Sequence, residues 1–268
     1  MNQGDGRALL SDDLRSSGAG ADDRRTENRL VSGFHKNERL IVALDVSTAA
    51  AAQKIVAAVG DSALTYKVGM QLYTAEGPAI VRDLVASGRR VFLDLKYHDI
   101  PNTVGAAVAE AAKLGVSMLT VHAAGGGKML RAAAEAAKAS PDLLLLAVTV
   151  LTSLDANDLE KTGVHGTVAE NVVRLASIAL ANGCGGIVTS AREASKVRAA
   201  LHSDFGSDFA IVTPGVRPAG GNVGDQVRVV TPAEAIAAGA THIVVGRPIT
   251  EAADPAAEAR AILGQISG

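Results

Sequence analysis

The 268-residue sequence holds a single cysteine, no tryptophan and only 3% aromatic residues. One cysteine cannot close a disulfide within its own chain, which favours a reducing compartment. Cys184 lies in Asn182-Gly183-Cys184-Gly185-Gly186, with no adjacent base to make a thiolate, and is expected to be a small buried side chain. Apolar runs are short: the longest, Leu143 to Val148, falls well below the roughly 20 residues that a membrane helix needs. The formal charge is only -2, and Arg and Lys are not interleaved with aromatics, so nothing calls for nucleic acid as a partner. No Walker A sequence is present, and no complete G-x-G-x-x-G follows a strand, because Gly183-Cys184-Gly185 precedes its strand and has Val188 in the last position. The N-terminus lacks a secretory-type apolar segment, and its aspartates argue against a transit peptide, so a cytoplasmic location is expected.

What is abundant is Ala, Val, Leu and Ile, within a hydrophobic fraction of 48%. That suits helices covering a parallel sheet. Residues 1–37 mix Gly, Ser, Asp and Arg with little apolar periodicity and read as a flexible N-terminal extension. From residue 38 to 268 the pattern is strand, helix, strand, repeated. Expected strands are Leu40 to Asp45, Ala63 to Val68, a third beginning at Val91, Ser117 to Val121, Leu143 to Val150, Gly186 to Thr189, Phe209 to Thr213 and His242 to Val245. Helices are expected at about 49–59, 77–87, 102–113, 126–138, 167–181 and 255–265. Eight units of this kind predict a single-domain α/β fold, a (β/α)8 TIM barrel, whose typical length is about 250 residues. The competing architecture is an open doubly wound sheet, which the missing glycine fingerprint disfavours.

The third strand continues Val91-Phe92-Leu93-Asp94-Leu95-Lys96-Tyr97-His98-Asp99-Ile100-Pro101-Asn102-Thr103. Ideal alternation puts Asp94 and Lys96 on one side of the strand, with Asp99 beyond them in the turn that Pro101 closes. In a barrel of this kind the chemistry lies at the C-terminal ends of the strands. Those ends carry Asp45, Lys67, Asp94, Lys96, Asp99, His122, Thr152, Ser153, Arg217 and Arg247. Glycines and an arginine in the last two loops, with Gly220, Gly221, Asp225 and Gln226 after strand seven and Gly246-Arg247 after strand eight, suggest a phosphate site.

Asp45 in Ala-Leu-Asp-Val, Lys67 in Tyr-Lys-Val-Gly, the run Asp94 to Thr103, Val148-Thr-Val-Leu-Thr-Ser153, Thr213-Pro-Gly-Val-Arg217-Pro and Val245-Gly-Arg-Pro-Ile-Thr250 together resemble the orotidine 5'-phosphate decarboxylase family over residues 39 to about 266. The resemblance implies a homodimeric barrel that converts orotidine 5'-monophosphate to UMP and carbon dioxide with neither metal nor organic cofactor. It implies Lys96 as proton donor, with Lys67, Asp94 and Asp99 completing an alternating charge network and Asp99 reaching into the partner's site. Asp45 and Thr103 would bind ribose hydroxyls, Thr103 also across the dimer. Thr152 and Ser153 would face the pyrimidine. Gln226, Gly246 and Arg247 would hold the phosphate, with Arg217 supporting that loop.

Residue chemistry bears on the alternatives. Losing a carboxylate directly from a pyrimidine ring leaves a carbanion without a carbonyl placed to absorb it, so the site must supply a fixed cation and then a proton. A lysine supplies both. Schiff-base chemistry wants a neutral lysine in an apolar or cationic setting, whereas Lys96 has acids on both sides. Metal-dependent sugar-phosphate decarboxylases and synthases share the Asp-x-Lys-x-x-Asp spacing, but Lys67 would repel the magnesium. A non-catalytic nucleotide-binding barrel would need the phosphate loop without all of Lys67, Asp94, Lys96 and Asp99. His98 is expected to be a loop hydrogen-bonder, and His122 to orient a charged neighbour or cap the following turn.

Overall fold

The computed structural model describes residues 38–218 and 230–266. Eight parallel strands, β1 (Leu40–Ala43), β2 (Thr65–Gly69), β3 (Arg90–Tyr97), β4 (Met118–His122), β5 (Leu144–Val148), β6 (Gly186–Val188), β7 (Ala210–Thr213) and β8 (His242–Val245), close into a barrel in sequence order. Helices α1 (Ala49–Val59), α2 (Met70–Glu76), α3 (Ala79–Ala86), α4 (Pro101–Lys113), α5 (Gly126–Ala137), α6 (Ala156–Lys161), α7 (Val168–Ala181), α8 (Ala191–Phe205), α9 (Pro232–Ala237), α10 (Arg247–Thr250) and α11 (Pro255–Gln265) follow the strands. The closed barrel expected from the eight-fold pattern is what forms. The helix expected at 77–87 is α3; α2 precedes it directly after β2 and was not expected, and Gly77 at φ +64 followed by Pro78 separates the two.

Local signals explain where the helices start. Thr48 accepts the Ala51 amide ahead of α1, and capping boxes open three helices: Asp155 with Asp158, Thr167 with Glu170, and Thr231 with Glu234. In the two threonine boxes the bonds from Thr167 and Thr231 hold the Glu170 and Glu234 carboxyls below the usual range.

Alternation along the strands separates two cores. The larger lies between the strands and the helices and includes Leu40, Val42, Val68, Leu93, Leu119 and Val245. The smaller fills the barrel lumen with Ile41, Ala43, Phe92, Met118, Leu146, Ala210, Val212 and Val244. At Gly186 of β6 a Cβ would come within 2.5 Å of the Ala210 carbonyl oxygen, so glycine lets β6 and β7 approach. Below the lumen Arg39 donates to the carbonyls of Thr241 at 3.0 Å and Ile266 at 2.9 Å, tying the first strand to the chain beyond α11. The lumen is thus a solid apolar plug. Polar side chains one step further along the strands stand on top of it.

Candidate active site

Register places the first of these. Ala43 of β1, Lys67 of β2 and Phe92 of β3 are consecutive partners across the ladder, so Lys67 shares the lumen face with two plug residues. Its ammonium lies 2.9 Å from Asp45 Oδ1 and 3.9 Å from Asp94 Oδ2. Gly69 makes room for this pair, since a Cβ there would sit 3.0 Å from Lys67 Nζ and 3.6 Å from Asp45 Oδ1.

β3 departs from regular geometry at the next step. Its register with β4 shifts between Leu93 and Tyr97, and Lys96 takes φ 53, the only non-glycine residue with positive φ among those described. A left-handed conformation at a residue with a long side chain costs on the order of 1–3 kcal/mol and persists where its surroundings impose it. The expected proximity of Asp94 and Lys96 is found, but a bulge produces it rather than ideal alternation. Lys96 Nζ stands 2.9 Å from each Asp94 oxygen. Asp94 also accepts from Thr120 Oγ1 at 3.0 Å, and the Lys96 amide donates to that same hydroxyl at 2.9 Å. The result is a chain Asp45, Lys67, Asp94, Lys96 of alternating sign. Its inner members Lys67 and Asp94 are mostly buried, at 13% and 14% side-chain exposure, while Asp45 is 63% exposed.

This chain floors a pocket of about 650 Å³ at the C-terminal ends of the strands. Asp45, Lys67, Asp94, Lys96, Thr152, Arg217, Gly246 and Arg247 all line it. Gly246 precedes α10, with its carbonyl accepting from the Ile249 amide at 2.9 Å, and Arg247 opens that short helix. Arg217 is buried, its backbone amide donating to the Val230 carbonyl at 3.0 Å. Ser153 does not line this pocket but an adjoining recess of about 410 Å³, which Thr152 shares. Asp99 and Thr103 are exposed on the loop and first turn of α4, and the Asp99 carboxylate accepts from the Ile100 amide at 2.6 Å. Within one chain, therefore, Asp45 and not Asp99 continues the charge alternation. Gly220, Gly221, Asp225 and Gln226 lie outside the described residues.

The task of Thr120 was not legible beforehand, nor was the stacking of His98 on His122, whereas the capping by His122 is one of the two roles expected of it. Thr120 reads as an ordinary β-branched strand residue, and only the bulge opposite it gives its hydroxyl a task. His98 stacks on His122, with ring centroids 5.3 Å apart, and His122 Nδ1 accepts from the Ala124 amide, capping the turn before α5. Burial, then His98 and Lys96, lower the His122 pKa from its ordinary value. Cys184 is buried as expected, and burial pushes its thiol up to about 12. Among the described residues no three His, Cys, Asp or Glu side chains are grouped to hold a metal ion, and no helix is long and apolar enough to cross a membrane.

A closed parallel barrel with lysines and carboxylates converging at its C-terminal mouth, above an apolar plug, has the form of a (β/α)8-barrel enzyme. The chain belongs to the orotidine 5'-phosphate decarboxylase / HUMPS family, whose profile matches residues 38–262. It is 54% identical over 230 residues to an orotidine 5'-phosphate decarboxylase of Halorhodospira halophila, covering 85% of this chain and 96% of that protein. A relative of the same name from Moorella thermoacetica is 50% identical over 240 residues, covering 87% and 94%. The crystal structure of orotidine 5'-phosphate decarboxylase from Lactobacillus acidophilus superposes with a TM-score of 0.76 at 39% identity, covering 86% of this chain and all of that one.

Proposed function

We propose that the chain is a cofactor-free orotidine 5'-phosphate decarboxylase, forming UMP and carbon dioxide from orotidine 5'-monophosphate. The observation that carries this reading is the Lys67, Asp94, Lys96 cluster on the floor of a pocket that Arg217 and Arg247 also line. Pocket size supports it too, since a nucleotide fits within the usual 300–1,000 Å³ of ligand sites, roughly.

In the reaction the bond from the ring to the carboxylate breaks, and its electron pair stays on the ring carbon as carbon dioxide leaves. The Lys96 ammonium faces that carbon as a fixed positive charge, then transfers a proton to it and is reprotonated from solvent. An ammonium has three donors, and the two Asp94 oxygens take two, which leaves one for the substrate. Asp94 holds the lysine in place, and Lys67 offsets part of the charge on Asp94. Asp45 would bind a ribose hydroxyl from its exposed position beside Lys67. Thr152 and Ser153 would face the base, and Gly246 and Arg247, with Arg217 and Gln226, the phosphate.

The exposed Asp99 and Thr103 fit a homodimer in which each chain completes the other's site. Ile100 and Met70, 66% and 55% exposed at the ends of neighbouring strands, supply apolar surface for such a contact. The reading also places the enzyme in the cytoplasm. A metal-dependent synthase is disfavoured by the Lys67 ammonium, which occupies the space between Asp45 and Asp94 where a cation would be held.

Loss of orotidine 5'-monophosphate absorbance, followed with EDTA present, tests the proposal. Turnover that survives EDTA and collapses in Lys96→Ala supports it. Absent turnover, or turnover abolished by EDTA, overturns it.

A further inference from the structure

β4 meets the irregular part of β3 with one residue where β3 has three. Between the pairs Leu93 with Leu119 and Tyr97 with Val121 stand Asp94, Leu95 and Lys96 on one strand and Thr120 alone on the other. A regular ladder would give the Lys96 amide a backbone carbonyl. Here it donates to Thr120 Oγ1 at 2.9 Å instead, and that hydroxyl donates to Asp94 Oδ1 at 3.0 Å. A hydroxyl has one proton to give and lone pairs to accept with, so the direction of both bonds is set. Thr120 is fully buried, which keeps water from taking either role. The other buried strand threonines are not used this way: the hydroxyls of Thr65 and Thr213 have no hydrogen-bond partner among the described residues.

We infer that Thr120 is a positioning residue for the Lys96 and Asp94 pair, its hydroxyl fixing the left-handed Lys96 backbone and the Asp94 carboxylate relative to one another across β4. Its effect on turnover rests on the decarboxylase reading, whereas the bonding itself does not. Without the hydroxyl, the Lys96 amide loses its acceptor and the Asp94 carboxylate one of its donors. Lys96 Nζ, held at 2.9 Å from both Asp94 oxygens, then loses its fixed support. Substrate-binding groups elsewhere in the pocket are untouched.

The test compares wild type with Thr120→Val, which keeps shape and strand preference but removes both bonds, and Thr120→Ser, which keeps the hydroxyl. Thr120→Ala removes the same bonds with a smaller side chain and stands in if the valine variant does not fold. Expected for Thr120→Val is a fall in kcat of about 10²-fold, the order of effect that misplacing a reacting group produces. KM for orotidine 5'-monophosphate and the Kd for UMP should stay near wild type, and Thr120→Ser should recover most of kcat. Hydrogen exchange at the Lys96 amide, followed by NMR, should be at least about tenfold faster in Thr120→Val and restored in Thr120→Ser. Unchanged kcat in Thr120→Val, a loss confined to KM, or a serine variant as impaired as the valine one would each overturn the inference. A wild-type protein without turnover overturns the decarboxylase reading alone. Amide exchange on the same proteins then decides the role of Thr120, and an unaltered Lys96 rate in Thr120→Val overturns it.

Discussion

The ammonium of Lys67 lies 2.9 Å from Asp45 Oδ1, joining the start of the loop after β1 to the middle of β2. One partner is mostly buried and the other mostly exposed, so the pair spans the boundary between barrel floor and pocket mouth. Asp45 thereby holds one side of Lys67 while Asp94 holds the other. Replacing Asp45 by Asn should lower kcat/KM by about 10- to 100-fold, as expected when a positioned charge loses its guide. Steady-state kinetics on orotidine 5'-monophosphate check this, and an unaffected variant would remove Asp45 from the site.

Arg247 is exposed and lines the pocket. Arg247→Ala should raise KM for orotidine 5'-monophosphate by about 10- to 100-fold, the loss of one charge-assisted bond to an anion. Wild type and variant should act equally poorly on orotidine, which has no phosphate. A variant that is impaired equally on both compounds would assign Arg247 some other role.

If Asp99 serves the partner's site, two inactive variants should complement each other. Mixing Lys96→Ala with Asp99→Ala and allowing subunits to exchange should restore about a quarter of wild-type activity. Half of the dimers are then mixed, and each carries one intact site. No recovery after exchange, checked by native mass spectrometry, would confine Asp99 to its own chain.

Arg39 has few substitutes at the closed end of the barrel. Its guanidinium bonds two carbonyls in a buried setting, and burial lowers its pKa from the ordinary value. Arg39→Met leaves those carbonyls unpaired, at about 2 kcal/mol, and should lower Tm by about 4–8 °C. Scanning calorimetry measures it, and activity at 25 °C should be retained.

His242 is wholly buried in β8, and burial, with Arg39 and Arg90 nearby, depresses its pKa from 6.5 to about 3. The unfolded chain therefore binds a proton that the folded chain refuses between those values. Stability from this group is complete above pH 6.5 and is lost as pH falls toward 3. Urea midpoints should decline across that window, and less steeply in His242→Asn. Equal slopes would show that other groups govern acid unfolding.

Much of this was written in the chain. Continuous apolar runs four to eight residues long, separated by amphipathic segments, specify parallel strands buried on both faces, and their number specifies closure. Charged residues at the ends of such runs, as at Asp45, Lys67, Asp94 and Lys96, have no reason to be there unless they face a pocket, so most of the candidate site was legible as well. The short helix α2 was missed because it is only seven residues long and begins directly where β2 ends, with no side-chain cap to mark its start.

By itself, then, the sequence determined the barrel, the end of it that carries the chemistry, and the residue types gathered there, since these follow from local pattern and strand order. Only the tertiary structure decided how those residues meet. A bulge depends on the register of two strands brought together by folding, so the left-handed turn at Lys96 and the hydroxyl of Thr120 opposite it leave no periodic trace. The choice of Asp45 over Asp99 as the neighbour of Lys67 within the chain was likewise spatial, because Asp45 lies two residues beyond β1, beside the strand that carries Lys67, while the Asp99 carboxylate accepts from the adjacent Ile100 amide.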